Sequence, residues 1–278
     1  MKNTIYAIIL LVALSSGLRA EGVSLADQRL VDIVERQNAI FEAIKTETGT
    51  PTPDQERLLH ELVQSYESFL SDNPNSAYGA ILFGKLLRQL DNPEEAAHLF
   101  LQANKLDPNI AVVKQQLGNY LAEKGDYILA LPYFLSAIEL EPNVGLYHYQ
   151  LGELLSQYKS CFVQDGAFQA GEIDEKIMHA FAEAVRLSPQ ERSFAFRHAE
   201  AYYDLDTSNW PEALKTWDSL YKNAMSTAEK DIINFQRARI FIELDDKPSA
   251  RQALSQVSSP ILEQSCQELL ASLPPENN

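Results

Sequence analysis

The sequence predicts an all-α fold: an α-α superhelix of antiparallel helix pairs, closed by a C-terminal capping helix. The first observation behind this is an alignment of residues 77–110 with residues 111–144 at a spacing of 34 residues. The aligned pairs are Phe83-Gly84 with Leu117-Gly118, Ala96 with Ala130, Phe100 with Phe134, Ala103 with Ala137, and Pro108 with Pro142. The second is that both segments carry apolar residues at helical spacing rather than in strand alternation. A fixed period of this length indicates a repeat architecture.

Residues 1–20 have the pattern of a signal peptide. Lys2 precedes an uncharged run over residues 5–14, and Leu18-Arg19-Ala20 supplies the small residue before a cut. This predicts export to the periplasm or outside the cell, with cleavage after Ala20. The apolar run is short for a bilayer span. The alternatives are an uncleaved anchor and a buried helix.

Residues 21–76 predict a helical pair that forms a degenerate first repeat. Its two apolar stripes consist of Leu30, Ile33, Ile40 and Ile44, and of Leu58, Leu62, Tyr66 and Phe69. A linker rich in Thr, Pro and Gly separates them over residues 46–53.

Residues 77–264 predict five repeats of paired helices. Their bounds are 77–110, 111–144, 145–191, 192–230 and 231–259 plus a turn. The third contains an insertion, placed at 156–172, whose Tyr158 and Phe162 predict a longer first helix followed by a loop over 164–171. Ser259-Pro260 is expected to open the capping helix at 260–273, with 274–278 as a tail. Pro132 lies inside a predicted helix, where a kink or a displaced start is expected.

These residues resemble the tetratricopeptide repeat family, whose pattern places Leu-Gly, Ala, Phe, Ala and Pro at set spacings. The chain departs from that pattern at Ala80 and Lys114, where the family has a large residue, and at Leu121, where it has an aromatic one. The resemblance implies a solenoid in which the first helix of each repeat lines a concave surface, and it implies that protein or peptide partners bind there.

Carrying the inward positions onto this chain gives a predicted partner-binding set. Its members are Tyr78, Lys85, Arg88, Gln115, Asn119, Tyr149, Glu153, Phe196, Glu200, Tyr203, Phe235 and Arg239. The resemblance implies that Asn119 contacts a peptide backbone. The basic residues with which some family members grip a C-terminal carboxylate are mostly missing. Alternatively, Tyr149, Phe196 and Phe235 are partly buried between helices.

Catalytic and metal-binding patterns are not found in the sequence. No two of the five histidines have the spacing of a zinc-binding helix, and no Gly-rich phosphate loop occurs. Cys161 and His179 are interpreted as an ordinary thiol and an ordinary helix histidine. We therefore expect no enzyme activity, no cofactor and no metal.

The charge of the chain disfavours nucleic acid and anionic lipid as partners. Without Lys2 and Arg19 of the leader, 21 basic residues face 39 acidic ones, a net charge of −18. Solubility is the simpler reason for that charge. No stable membrane insertion is expected after the signal peptide is cleaved.

The two cysteines are predicted to lie several helices apart, too far for an internal disulfide. Cys266 falls on an apolar stripe and is expected to be buried. Cys161 lies in the insertion, and the sequence leaves open whether it forms a disulfide between two molecules. The insertion either covers the concave surface, contacts a partner or fills space on the opposite side.

The predicted function is an exported, non-enzymatic scaffold that binds a protein or peptide, in cell-envelope assembly or secretion. Two alternatives remain from the sequence: a self-associating structural subunit, and an accessory component of an envelope enzyme or polysaccharide-export complex.

Overall fold

A computed structural model describes residues 24–47 and 50–274, which contain helices and turns and no strand. The predicted signal peptide and the last four residues lie outside this range. The chain divides into two compact units, Met1–Pro108 and Asn109–Asn278. The fold is the predicted all-α class, a solenoid of stacked helix pairs like that of tetratricopeptide repeat proteins. Within the described residues, no helix is long and apolar enough to span a bilayer.

The described part of unit 1 contains four helices. They are α1 (Leu25–Glu47), α2 (Pro53–Asp72), α3 (Ala77–Gln89) and α4 (Pro93–Leu106). Side-chain caps and helix-starting prolines define their N-termini. Thr52 and Gln55 form a reciprocal capping box before α2, and the Ser76 hydroxyl accepts from Gly79 N–H at α3.

The described part of unit 2 contains ten α-helices and one short 3₁₀-helix, Tyr202–Asp204. The α-helices are α5 (Ala111–Glu123), α6 (Tyr127–Leu140), α7 (Gly145–Gln157), α8 (Lys159–Gln164), α9 (Ala170–Leu187), α10 (Arg192–Ala201), α11 (Trp210–Lys222), α12 (Thr227–Glu243), α13 (Lys247–Ser255) and α14 (Glu263–Ser272).

The 34-residue period of the sequence is reproduced in the helix boundaries. Helices α3, α5 and α7 begin at Ala77, Ala111 and Gly145, each 34 residues after the last. Helices α4 and α6 begin at Pro93 and Tyr127 with the same spacing. The repeats are therefore regular in backbone as well as in sequence.

The turn between paired helices uses one left-handed residue at an equivalent position in several repeats. Asp91, Gly125 and Asp245 have φ of 59°, 83° and 58°. After α5, Asp126 N–H donates to Leu121 O at 2.9 Å and Gly125 N–H donates to Ala122 O at 3.0 Å. These two bonds are the Schellman motif, which satisfies the last carbonyls of the helix and reverses the chain.

Small residues in the first helix allow the second helix to pack closely in each pair. A Cβ built on Gly118 lies 3.1 Å from the Phe134 ring, and one built on Gly152 lies 2.7 Å from the Phe181 ring. Phe181 is fully buried, among Leu155, Ile173 and Ile177. The motif glycines are thus explained by contact with the motif phenylalanines.

The insertion in the third repeat differs from the prediction. The first helix ends at Gln157 instead of continuing through Tyr158, and a separate short helix, α8, follows it. The loop spans residues 165–169, so Gly171 lies inside α9. Phe162 is fully buried, and its ring contacts Tyr127 and Phe168 edge-on. The insertion breaks the helix because Phe162 turns back into the core.

Three other details differ from the sequence prediction. Helix α6 runs through Pro132 and begins in register with the other repeats, which excludes the displaced start, one of the two alternatives predicted there. Helix α12 begins at Thr227, ahead of the predicted boundary at 231, because Ser226 caps it through Glu229 N–H. The last helix begins at Glu263, since the residues after Pro260 form a turn.

Candidate functional site

The first helices of the repeats in unit 2, with the 3₁₀-helix that follows one of them, carry polar and aromatic side chains, several of which contact side chains of a neighbouring helix. We call this set the first-helix face. It consists of Asn119 on α5, Tyr149 and Glu153 on α7, Arg197 and Glu200 on α10, Tyr203 in the 3₁₀-helix and Arg239 on α12. Side-chain contacts join α7 to α10 through Arg197 and the 3₁₀-helix to α12 through Tyr203.

Arg197 lies at the centre of the first-helix face. Its Nε lies 2.6 Å from Glu153 Oε1, and its Nη2 donates to Ser156 Oγ and Asp204 Oδ2, both at 2.8 Å. Its guanidinium also lies over the Phe181 ring, 4.7 Å from the ring centroid. Burial lowers the pKa of Arg197, but the nearby Glu153 and Asp204 carboxylates outweigh this and raise it. Arg197 therefore fixes α10 against α7.

A second arginine lies further along the face. The Arg239 guanidinium stacks on the Tyr203 ring at 4.0 Å from its centroid, and the Tyr203 hydroxyl donates to Gln236 O at 2.9 Å. Arg239 also donates to Gln236 Oε1 at 2.9 Å. Burial raises the pKa of Tyr203, so it is a neutral hydrogen-bonding group at neutral pH.

Glu200 lies among the charges of these two arginines. Burial raises the pKa of its carboxyl above the usual range, while the charges of Arg197 and Arg239 act in the opposite direction. Asp204 and Glu153 add to the increase. A cation or hydrogen-bond donor placed beside this half-buried carboxylate would stabilise its charged form.

Tyr149, Phe196 and Phe235 of the predicted set are half-buried, as one of the sequence alternatives expected. Tyr149 stacks on Phe194 at 4.5 Å, and Phe196 meets Trp217 edge-on at 5.7 Å. Phe235 packs against the core around Ala238 and Leu254. Burial raises the pKa of the Tyr149 hydroxyl.

The two predicted amides on α5 have different environments. Gln115 is buried, and its Oε1 accepts a hydrogen bond from Gln116 at 2.8 Å. It therefore lies beneath the surface instead of on it. Asn119 is half-buried and lines a cleft of about 190 Å³ that also involves Gln150 and Glu153.

Tyr78, Lys85 and Arg88 belong to α3 in unit 1. Tyr78 is exposed, and burial followed by the charge of Asp107 raises its pKa. Lys85 is half-buried, which lowers its pKa. Arg88 is half-buried as well.

Unit 1 also has an open cleft between α1 and α2, lined in part by Arg29, Arg36 and Glu61. Its arginines form ion pairs, Arg29 with Asp72 and Arg36 with Glu61, both at 2.6 Å. These pairs hold α1 against α2, so their charges serve the packing of unit 1.

Sequence reasoning missed Arg197, although it is the most connected residue of the face. It follows the predicted inward residue Phe196 by one position, outside the set of inward positions taken from the family. The one sequence signal that could have indicated Arg197 is its place directly after the aromatic residue Phe196 on the first helix of a repeat. Lys159 was missed for a related reason, since its partners Asp174 and Asp206 lie far along the chain.

Within the described residues, no group of three or more His, Cys, Asp or Glu side chains is placed to hold a metal ion. Cys266 is buried as predicted, and Cys161 is half-buried; both are free thiols. The insertion keeps Phe162 and Phe168 in the hydrophobic core.

Comparison with known proteins agrees with the repeat assignment. The tetratricopeptide repeat model matches residues 80–110 and 111–144. The chain therefore contains tetratricopeptide repeats over this range. A search of curated proteins found no match.

Solved structures share the fold at low sequence identity. YrrB, described as a TPR protein with an unusual peptide-binding site, is 18% identical with a TM-score of 0.59, over 75% of this chain and 97% of YrrB. PilF of Pseudomonas aeruginosa is 17% identical with a TM-score of 0.56, over 87% of this chain and all of that one. The C-terminal part of a TPR repeat-containing protein of Cytophaga hutchinsonii is 17% identical with a TM-score of 0.59, over 88% of this chain and 98% of that part. At this identity the similarity defines the fold class. Proteins of this class are generally non-catalytic scaffolds that bind proteins or peptides.

Proposed function

We propose that this chain is an exported, non-enzymatic scaffold that binds an extended polypeptide on the first-helix face of unit 2. The observation that carries the proposal is a surface with two contact networks, one around Tyr149 and Arg197 and one formed by Tyr203 and Arg239. It offers aromatic edges, a half-buried carboxylate and hydrogen-bonding groups within one surface. Rigid aromatic and arginine side chains are typical anchors of protein interfaces.

The composition of the face favours a polypeptide over a small molecule. Its groups are spread over successive helices instead of enclosing one deep pocket, and they alternate in charge and polarity. An extended chain can use such a row, placing side chains between aromatic edges and pairing its backbone with amides such as Asn119. YrrB, which shares the fold, is described as having a peptide-binding site.

Export and a role in cell-envelope assembly or secretion are part of the proposal, on the evidence of residues 1–20. Intact-mass measurement of the protein recovered from the cell tests this part. A mature form that begins at Glu21 and fractionates outside the cytoplasm is the expected result. A mass that retains Met1 to Ala20 in the cytoplasm would contradict it.

The binding face is tested with a charge-balanced double variant. Glu200→Gln with Arg239→Gln removes one negative and one positive group from the first-helix face. Glu183→Gln with Arg186→Gln removes the same charges from α9, a second helix, where Glu183 and Arg186 pair at 2.7 Å. Partners captured by the wild type should bind the first variant roughly tenfold more weakly. The control variant should bind them normally, and equal binding by both variants would refute the face.

A second candidate, self-association, is favoured by an exposed apolar surface on α6. Ile128, Leu129 and Leu135 are 47%, 58% and 49% exposed, and residues 127–138 contain no charged side chain. Such a surface often contacts another protein. Light scattering after size exclusion measures the oligomeric state. A wild-type oligomer that becomes a monomer in the Ile128→Glu, Leu135→Glu variant would support self-association. A wild-type monomer at high concentration would reject it.

A further inference from the structure

The exposed side of α6 is apolar over most of the helix. Four apolar residues that share this side are exposed: Ile128, Leu129, Pro132 and Leu135. The opposite side carries Phe134, which is buried against the rest of the repeat. Residues 127–138 contain no charged side chain. Helix α6 therefore has two apolar sides, of which its own repeat covers one. We call the exposed side the α6 face.

The equivalent surface of two other second helices is mainly polar. The motif residues Phe100, Phe134 and Phe181 align α4, α6 and α9 with one another. At the four positions of the α6 face, α4 has Glu94, Glu95, His98 and Leu101, and α9 has Glu175, Lys176, His179 and Ala182, all of them exposed. The repeat fold thus tolerates charge at these positions, so folding alone does not explain the apolar residues of α6. Such a surface is suited to contact with another molecule.

The rest of the chain indicates that a second copy covers the α6 face. A two-fold contact uses the same patch on both copies, so one apolar patch per chain is sufficient, whereas a head-to-tail contact needs a second, complementary patch. In the described part of unit 2, the large exposed hydrophobic residues outside α6 are single, with no two in the same helix: Leu146, Met225, Ile232, Leu244, Ile261 and Leu270. The net charge of −16 opposes the approach of a second copy, and this repulsion is smallest at a face without charge.

The α6 face is complementary to itself about Pro132. Ile128 and Leu135 lie on one stripe of the helix, with Pro132 between them. In an antiparallel two-fold contact, Ile128 of each copy meets Leu135 of the other, and the two Pro132 side chains meet at the axis. In a parallel contact each residue meets its own counterpart. The carboxylates of Asp126 and Glu139 meet like charge in both arrangements, but the helix dipoles favour the antiparallel one, because it places each positive N-terminus beside a negative C-terminus.

We propose that two copies of this chain pair through their α6 faces in an antiparallel contact, with Ile128 of one copy packed on Leu135 of the other. The inference rests on the second candidate of the proposed function, self-association, and specifies which surfaces meet. A contact made by one helix of 14 residues is small and belongs to the class of weak complexes, which bury less than about 1,200 Å² in total. We therefore expect a dissociation constant in the micromolar range. The contact uses no residue of the first-helix face, so a dimer would present two such faces to a partner.

Disulfide cross-linking tests the contact in a Cys161→Ser background, in which the remaining cysteine, Cys266, is buried. Ile128→Cys and Leu135→Cys are introduced into separate chains, which are mixed at equal concentration and treated with oxidised glutathione. The mixture should give at least five times more cross-linked dimer than either variant alone. The reason is that in the antiparallel contact each residue lies about 10 Å along the helix from its own counterpart. A disulfide requires Cα atoms within about 7 Å.

The matched control mixes Glu175→Cys with Ala182→Cys, which occupy the equivalent exposed positions of α9, and it should show no such gain. Thermal denaturation checks that all four variants fold. Ile128→Cys chains that cross-link to one another more than in the mixture would overturn the antiparallel arrangement. A wild-type dimer by light scattering, with no more cross-linking at α6 than at α9, would overturn the α6 contact and leave self-association in place. A wild type that stays monomeric far above micromolar concentration would overturn both.

Discussion

Substitution of Gly152 by alanine tests whether close helix packing defines the repeat. A Cβ at this position would lie 2.7, 2.9 and 2.9 Å from three atoms of the Phe181 ring, closer than Cβ atoms come to their neighbours in real proteins. Phe181 cannot move away easily, since it is fully buried and lies between Arg197 and Tyr149. Overpacking of this kind costs about 1–3 kcal/mol.

The alanine also brings a gain, which must be subtracted. Replacing glycine inside a helix stabilises by about 0.8–1 kcal/mol through helix propensity. The net prediction for Gly152→Ala is therefore a loss of up to roughly 2 kcal/mol, from the difference of these two effects. Gly118 is the matched comparison, since its Cβ would lie 3.1 Å from Phe134, a distance that a small ring shift relieves. For Gly118→Ala we expect the two effects nearly to cancel.

Urea denaturation followed by circular dichroism measures both variants. Gly152→Ala should unfold at lower urea than Gly118→Ala, and Phe181→Leu added to Gly152→Ala should recover part of the loss by making room. A Gly152→Ala variant more stable than the wild type by about 1 kcal/mol would refute the packing argument, because the helix-propensity gain would then be unopposed.

Three further predictions concern the charged groups of unit 2. Lys159→Met leaves the Asp174 carboxylate, only 7% exposed, without its 2.6 Å ion pair, and should lower the free energy of unfolding by about 3–5 kcal/mol in urea denaturation. Adding Asp174→Asn should restore part of this stability. Equal stabilities of the single and the double variant would contradict the prediction. Arg197→Met keeps the stem over Phe181 and loses the ionic bonds, so denaturation should show a cost of about 1–2 kcal/mol, limited by the exposure of its partners and smaller in high salt. Glu200 has a raised pKa in the folded state, so its contribution to stability is fully present below its ordinary value of 4.5 and is lost as pH rises through the folded pKa. Glu200→Gln should therefore match the wild type at pH 4 and exceed it at pH 7 in thermal denaturation, and a constant difference across this range would count against burial as the cause.

The repeat fold was predictable because its signals are local. Gly84, Gly118 and Phe134 recur at one spacing, and each has one partner in the adjoining helix, so alignment of the chain with itself identifies them. The resemblance to tetratricopeptide repeats adds the helix pairing, and the model match over residues 80–144 agrees.

The insertion and parts of the face were less predictable because they depend on contacts between distant residues. Phe162 continues a helical stripe in sequence, but the core around Ile173 and Phe181 draws it inward and ends the helix at Gln157. Gln115 occupies a family surface position and is nevertheless buried. Helical spacing specifies which residues share a side of a helix, but not how far the neighbouring helix covers that side.

The ion pairs of Lys159, the first residue of α8, constrain which residues can change together in homologues of this chain. Lys159 Nζ contacts Asp174 at 2.6 Å and Asp206 at 2.9 Å, and Asp206 N–H donates to Asp174 Oδ2. One ammonium group thus ties the inserted segment to its own repeat and to the loop of the following one. Homologues that lack the segment should also have lost the acidic residue equivalent to Asp174, since a buried carboxylate without its counter-ion would be selected against.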